Sequence, residues 1–155
     1  MLKVGDKAPN FSLYSDNKVQ ITLEDFKGKN LLILFFPMAF SGSCTQEMCG
    51  VRDDMARYNK AKTKVLGISV NSVFTLKQFR QINGINFELL SDYNKETCRA
   101  YGAIYEEFVF EMKGVAKRAA FLVNKLGEIE YAEVLEKASD LPKFIEINKL
   151  IETLK

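Results

Sequence analysis

The sequence predicts an α/β fold: a sandwich in which helices flank a central mixed sheet. Three observations carry this. Two runs, "NLLILFF" (30–36) and "KVLGISV" (64–70), are almost continuously apolar, as strands covered on both faces must be. Segments with helical spacing follow each run. Further on, "RAAFLVNKLGEIEYAEVL" (118–135) reads as a two-stranded hairpin, and an amphipathic helix follows it.

The elements follow in order. "FSLY" (11–14) and "VQITL" (19–23) flank the turn residues "SDNK" and predict an N-terminal β-hairpin. The strand at 30–36 stops at Pro37. A helix is expected from about Ser43 to Lys60. After the strand at 64–70, "VFTLKQFRQI" (73–82) reads as a helix and "FELL" (87–90) as a short strand. "NKETCRAYGAI" (94–104) reads as a helix. The 118–135 hairpin turns at Asn124, Lys125, Leu126 and Gly127. A last helix is expected from about Asp140, with Leu141, Phe144, Ile147, Leu150, Ile151 and Leu154 at helical spacing. Pro142 falls in its first turn, where proline is tolerated. Parallel central strands, helices on both faces and an antiparallel hairpin describe a thioredoxin-like sandwich. No repeat, linker or low-complexity segment interrupts the chain, so residues 1–155 are read as one domain.

Composition removes several functions. A net charge of +2 with no dense basic patch argues against a nucleic-acid partner. No run approaches the roughly 18 apolar residues of a membrane span. "MLKVGDKAPNF" lacks the apolar stretch of a leader. Cytoplasmic residence, away from a membrane, is therefore expected. There is no histidine, so Cys–His dyads, Ser–His–Asp triads and Cys₂His₂ zinc sites are excluded. Cysteines at 44, 49 and 98 make no paired C-x₂-C knuckles, so no metal is expected. Nor do they form a disulfide framework.

A thiol becomes a nucleophile as its thiolate, and something must favour that form. Without histidine, a helix N-terminus and a nearby Arg or Lys remain. Ser43 followed by Gln46 matches a capping box and would place Cys44 first in the helix. Ser41 is a second candidate cap. Either way Cys44 lies in the first turn, where unpaired N–H groups and the helix dipole favour an anion. Taken alone, Cys44 would read as a buried, inert cysteine; its place after Pro37 at a capped helix start reverses that reading. Spacing does not choose among the arginines at 52, 57, 80, 99 and 118.

Cys49 lies five residues beyond Cys44. On an ideal helix that is a rotation of about 140°, a rise of roughly 7.5 Å and a Cα separation of about 8–9 Å. A disulfide needs Cα atoms within about 7 Å. Pairing therefore requires the helix to open. Otherwise Cys49 is a small buried hydrophobe. Cys98, in "KETCRAYG", reads as structural, with a bond to Cys44 as its alternative use. Phe35, Phe36 and Phe40 read mostly as core, with Phe40 at a site entrance or subunit contact as the alternative.

"PMAFSGSC" resembles the Pro-x-x-x-Thr/Ser-x-x-Cys signature of the peroxiredoxins, at Pro37, Ser41 and Cys44. "VGDKAPNFSL" (4–13) resembles that family's opening segment. "KRAAFLVNKLGEI" (117–129) resembles the strand carrying its active-site arginine, which selects Arg118. The resemblance spans nearly the whole chain. It implies a thiol peroxidase that uses no metal, haem or flavin. The Cys44 thiolate would attack a hydroperoxide and become a sulfenic acid. Pro37 would shield the thiolate from water. The Ser41 hydroxyl, where the family more often has threonine, would bond to the sulfur or the peroxide. Arg118 would stabilise the thiolate and polarise the O–O bond, and Glu47 would support the arginine.

"CTQEMC" is similar to the peroxiredoxin Q, or bacterioferritin comigratory protein, group and implies that Cys49 resolves Cys44 as an intramolecular disulfide. "FPMAFSGSC", "YGAIYEE" and "RAAFLVNK" look like the one-cysteine alkyl hydroperoxide reductase E subgroup, which relies on external thiols. The intramolecular pair is the preferred expectation, recycled by a thioredoxin- or glutaredoxin-like reductant. A homodimer is implied by resemblance alone. Two rivals come from other classes. A disulfide reductase would suit the fold but lacks C-x-x-C. A redox-sensing interaction protein would expose "MAF" and "EMC" when oxidation unwinds the helix.

Overall fold

A computed structural model describes residues 1–154. In chain order, β1 (Ser12–Ser15) and β2 (Gln20–Thr22) form the N-terminal hairpin, with Leu13 opposite Ile21. β3 (Asn30–Phe35) leads into α1 (Gly42–Asp53) and α2 (Met55–Lys60). β4 (Thr63–Ser69), α3 (Val73–Asn83), β5 (Glu88–Ser91) and α4 (Glu96–Ala100) follow. β6 (Ile104–Tyr105) and β7 (Val115–Ala116) pair antiparallel as a small separate sheet. β8 (Ala119–Val123) and β9 (Ile129–Val134) make the second hairpin, and α5 (Phe144–Thr153) closes the described chain. The main sheet runs β2-β1-β5-β4-β3-β8-β9. Its β3–β4 and β4–β5 neighbours are parallel and the others antiparallel. This is the expected thioredoxin-like mixed sheet. No helix of the described residues is long and apolar enough to cross a membrane.

Alternation along β3 divides the core. Leu32, Leu34 and Phe36 pack with Met48 and Val51 of α1, Tyr58 of α2, Phe79 of α3 and Ile147 of α5. Leu31, Ile33 and Phe35 face the opposite way, onto Phe11, Tyr101 and Phe121. All six β3 residues are buried, which is why the run is continuously apolar after Asn30 rather than alternating. Each large side chain so buried contributes about 1.5–3 kcal/mol relative to exposure. Cys44 belongs to the first layer and Cys98 to the second.

Four expectations are corrected. The helix expected over 43–60 is broken at Asp54, whose backbone leaves helical geometry (φ −97°, ψ 5°). Adjacent Asp53 and Asp54 are poor helix formers. The redirected α2 buries Tyr58, whose Oη donates to Asn148 Oδ1 of α5 at 2.9 Å. The Ser43–Gln46 capping box does not form. Phe40 takes a left-handed φ of 72°, and the extended backbone an N-cap needs then falls at Ser41 (φ −74°, ψ 152°). Ser43 is thus inside the helix. The helix expected over 94–104 shrinks to α4, because Gly102 turns left-handed (φ 65°) and Ala103 N–H closes onto Cys98 C=O. The chain beyond becomes β6, which periodicity over two residues could not announce. Finally, α5 starts at Phe144 rather than Asp140. Pro142 lies before it, and the Lys143 N–H donates to Glu133 Oε1 of β9 instead of to a helical turn.

Candidate active site

The end of β3 sets the site. Pro37 is buried and cannot extend the sheet. The chain crosses to α1 through residues 38–41, and Asn71, just beyond β4, holds that crossing. Asn71 Oδ1 accepts from Ala39 N–H at 2.9 Å and from Ser69 Oγ at 2.8 Å. Its Nδ2 donates to Met38 Sδ at 2.9 Å. Its own carbonyl accepts from Ser91 Oγ at 2.6 Å. Phe40, half exposed, packs edge-on against Phe79, with ring centroids 5.3 Å apart.

Cys44 is the third residue of α1 and fully buried. Glu47, three residues later, shares its helix face. Arg118 stands immediately before β8, and Ala119 pairs with Phe35, so the register brings the arginine beside the end of β3. Arg118 Nη2 donates to Cys44 Sγ at 3.2 Å, and Nη1 donates to Glu47 Oε1 at 2.7 Å. Nε and Nη2 both donate to the Ala138 carbonyl, at 3.2 and 2.9 Å. Arg118 is only 1% exposed. A thiol, a carboxylate and a guanidinium are therefore packed together out of water.

Burial pushes the Glu47 carboxyl up to about 7, against the opposing pull of Arg118. Burial also works against the Arg118 charge, but Glu47 and Cys44 outweigh it and hold the guanidinium above its ordinary range. Glu47 Oε2 has no hydrogen-bond partner among the described residues. One firm cation thus faces two acids. The first turn of α1 adds its own positive end.

The other candidates lie around this cluster. Ser41 is exposed, and its hydroxyl donates to Met38 C=O at 2.9 Å rather than to the Cys44 sulfur. Cys49 is partly buried, and its sulfur lies 3.8 Å from Asn83 Oδ1 on α3. All three cysteines are free thiols. Cys98 is separated from Cys44 by the sheet itself, which removes it as a bonding partner of Cys44 in the folded chain. Burial pushes the Cys98 thiol up, with Asp92 adding to the effect. Two contributors escaped sequence reading. Asn71 had one signal, a polar residue at the carboxyl end of a parallel strand, where α/β sheets place their sites. Ala138 contributes only a carbonyl, which no side-chain pattern reveals. Among the described residues no group of three or more Cys, Asp or Glu could hold a metal ion.

A family model described as the AhpC/TSA family matches residues 4–132. Peroxiredoxin Bcp of Escherichia coli (strain K12) is 38% identical over 131 residues, covering 84% of this chain and 84% of that protein. Alkyl hydroperoxide reductase E of Mycobacterium bovis is 36% identical over 137 residues, 86% of each chain. The solved structure of peroxidoxin BcpB from Mycobacterium tuberculosis superposes with a TM-score of 0.88, covering 100% of this chain and 99% of that one. Its sequence identity is 19%, so the likeness is one of fold.

Proposed function

Since the chain belongs to the AhpC/TSA family and is a peroxiredoxin, a thiol peroxidase, we propose that Cys44 is its peroxide-reacting thiol. The observation that carries this is the Arg118 Nη2 donor 3.2 Å from the Cys44 sulfur, in a chain without histidine. The guanidinium and the helix start stabilise the thiolate where no imidazole can. The thiolate attacks the terminal oxygen of a hydroperoxide, the O–O bond breaks, and the sulfur keeps the OH as a sulfenic acid. The departing alkoxide or hydroxide takes up a proton and leaves as alcohol or water. Arg118 stabilises the charge as it passes from sulfur to the leaving oxygen. Buried Pro37 limits water at the sulfur. Ser41 Oγ, which donates to Met38 C=O, keeps lone pairs free to accept from the peroxide O–H.

Cys49 then attacks the sulfenic sulfur. The S–OH bond breaks, water leaves, and a Cys44–Cys49 disulfide forms. A dithiol reductant of the thioredoxin or glutaredoxin type reduces it by exchange. Cys49 is only partly buried, so its thiol comes within reach of Cys44 once α1 opens. Its present direction, toward Asn83, favours a second reading, in which an external thiol reduces the sulfenic acid and Cys49 stays structural. Hydroperoxide consumption by Cys44→Ser tests the core of the proposal. It is expected to vanish, and survival of the activity would contradict it.

A further inference from the structure

Arg118 has to be aimed, and one carbonyl does most of the aiming. Ala138 C=O accepts from both Nε and Nη2. These donors form one edge of the planar guanidinium, so a single acceptor fixes its rotation. With that edge held and Nη1 on Glu47, the other Nη2 hydrogen is directed to the Cys44 sulfur. Yet Ala138 lies in the connection between β9 and α5, outside any strand or helix. The main chain anchors it on either side, Leu135 N–H on Arg118 C=O at 2.9 Å and Asp140 N–H on Lys137 C=O at 3.1 Å, and side chains grip the stretch between.

Two do so, at Glu136. Tyr105 Oη donates to the Glu136 carbonyl at 2.7 Å. Lys117 Nζ pairs with Glu136 Oε1 at 2.7 Å and also lies 5.6 Å from the centre of the Tyr105 ring. Both side chains belong to the small sheet. Tyr105 ends β6, and Lys117 follows β7, its N–H donating to Ala103 C=O at 2.9 Å. Arg118 is the next residue. The same piece of chain therefore delivers the arginine and clamps the segment that carries the arginine's acceptor. The Glu136 side chain is largely exposed, so its ion pair is screened. The tyrosine bond to the main chain is the firmer grip.

We propose that Tyr105 is a positioning residue for peroxide reduction: with Lys117 it fixes residues 136–138 so that Ala138 C=O aims Arg118 at Cys44. This rests on the reading of Arg118 as the group that assists Cys44. Tyr105→Phe removes the hydroxyl and keeps the ring. It is expected to lower the second-order rate of Cys44 oxidation by about three- to tenfold, the range of one lost hydrogen bond. The part of the ultraviolet thiolate absorbance at neutral pH that disappears in Cys44→Ser is expected to fall with it, while the unfolding midpoint in urea reports separately on folding. In an Arg118→Lys background, whose ammonium cannot present the two-donor edge, the Tyr105→Phe factor is expected to shrink to near one. An unchanged rate and absorbance in Tyr105→Phe would overturn the proposal, as would the same factor in both backgrounds. A wild-type rate in Arg118→Lys alone would instead overturn the role of the Arg118 fork, which separates the two failures.

Discussion

Cys44 and Cys49 share one unbroken helix and face different neighbours. The Cys44 sulfur takes a hydrogen bond from Arg118 Nη2 at 3.2 Å, and the Cys49 sulfur lies 3.8 Å from Asn83 Oδ1. Thiols five residues apart on an intact helix cannot bond. Under the proposed mechanism, peroxide reduction uses the closed helix and disulfide formation uses an opened one. Arg118 holds both Cys44 and Glu47, so in that mechanism the contacts that serve the reacting sulfur also tie down the first turns. Converting thiolate to neutral sulfenic acid would take the charge off the acceptor of one of those bonds and weaken it.

Gly50 bears on the opening step. It follows Cys49 directly inside α1, and a Cβ at this position would meet nothing within 4 Å. A helical glycine costs about 1 kcal/mol relative to alanine. Gly50→Ala is therefore expected to stiffen the helix without crowding it. Quenched-flow sampling should find disulfide formation slowed by about fivefold, the factor that 1 kcal/mol supplies, with Cys44 oxidation at its wild-type rate. Equal slowing of both steps would count against a helix-opening requirement.

Arg118→Ala removes the donor to the sulfur and to Ala138 C=O. The rate of peroxide reduction is expected to fall by about 10²–10³, the range for losing one preorganised charge-stabilising donor. Arg118→Lys restores charge without the fork and should recover only part of the rate. Competition kinetics for hydrogen peroxide measure both. Arg118→Ala should also destabilise the protein, by about 1–3 kcal/mol, because the buried Glu47 carboxyl and the Ala138 carbonyl lose their donor.

Glu47 links the site to pH. Its carboxyl is raised from 4.5 to about 7, first by burial, with Arg118 opposing. Between these values the folded chain holds a proton that the unfolded chain has released. The favourable contribution of the neutral acid is therefore full below pH 4.5 and is lost as pH rises through about 7. Glu47→Gln is expected to flatten this fall in stability over that window, in urea unfolding followed across pH. A pH dependence identical to wild type would place the titration elsewhere.

Cys98 lies across the sheet from Cys44. Cys98→Ala is expected to leave both peroxide reduction and Cys44–Cys49 bond formation unchanged, while the cavity lowers stability by about 1 kcal/mol. Loss of disulfide formation in this variant would show that the sheet does not keep the two thiols apart.

The central strands and both hairpins were legible because their cause is local: β3 is apolar from Leu31 to Phe35 since both its faces are covered, and Asn124 Oδ1 makes its own turn by accepting from Leu126 and Glu128 N–H. The helix break at Asp54 was only partly legible: adjacent Asp53 and Asp54 weaken the helix, but the bond that holds the redirected α2, from Tyr58 to Asn148, spans 90 residues. Of the two caps the sequence offers at the helix start, Ser43 and Ser41, the fold uses Ser41, because left-handed Phe40 and not a capping side chain sets it. Cys44 could be reasoned from its place after Pro37. Arg118 could be picked from five arginines only by resemblance, since its selection by fold depends on the pairing of Ala119 with Phe35. Ala138 and Asn71 act through groups and distances that exist only in the folded chain.

The most direct test is to expose the reduced protein to a single equivalent of hydroperoxide and map its oxidised thiols by mass spectrometry. The account predicts a Cys44–Cys49 disulfide within one chain, with Cys98 still reduced, and in Cys49→Ser a sulfenic acid on Cys44. Peroxide consumed while Cys44 stays a free thiol would contradict it.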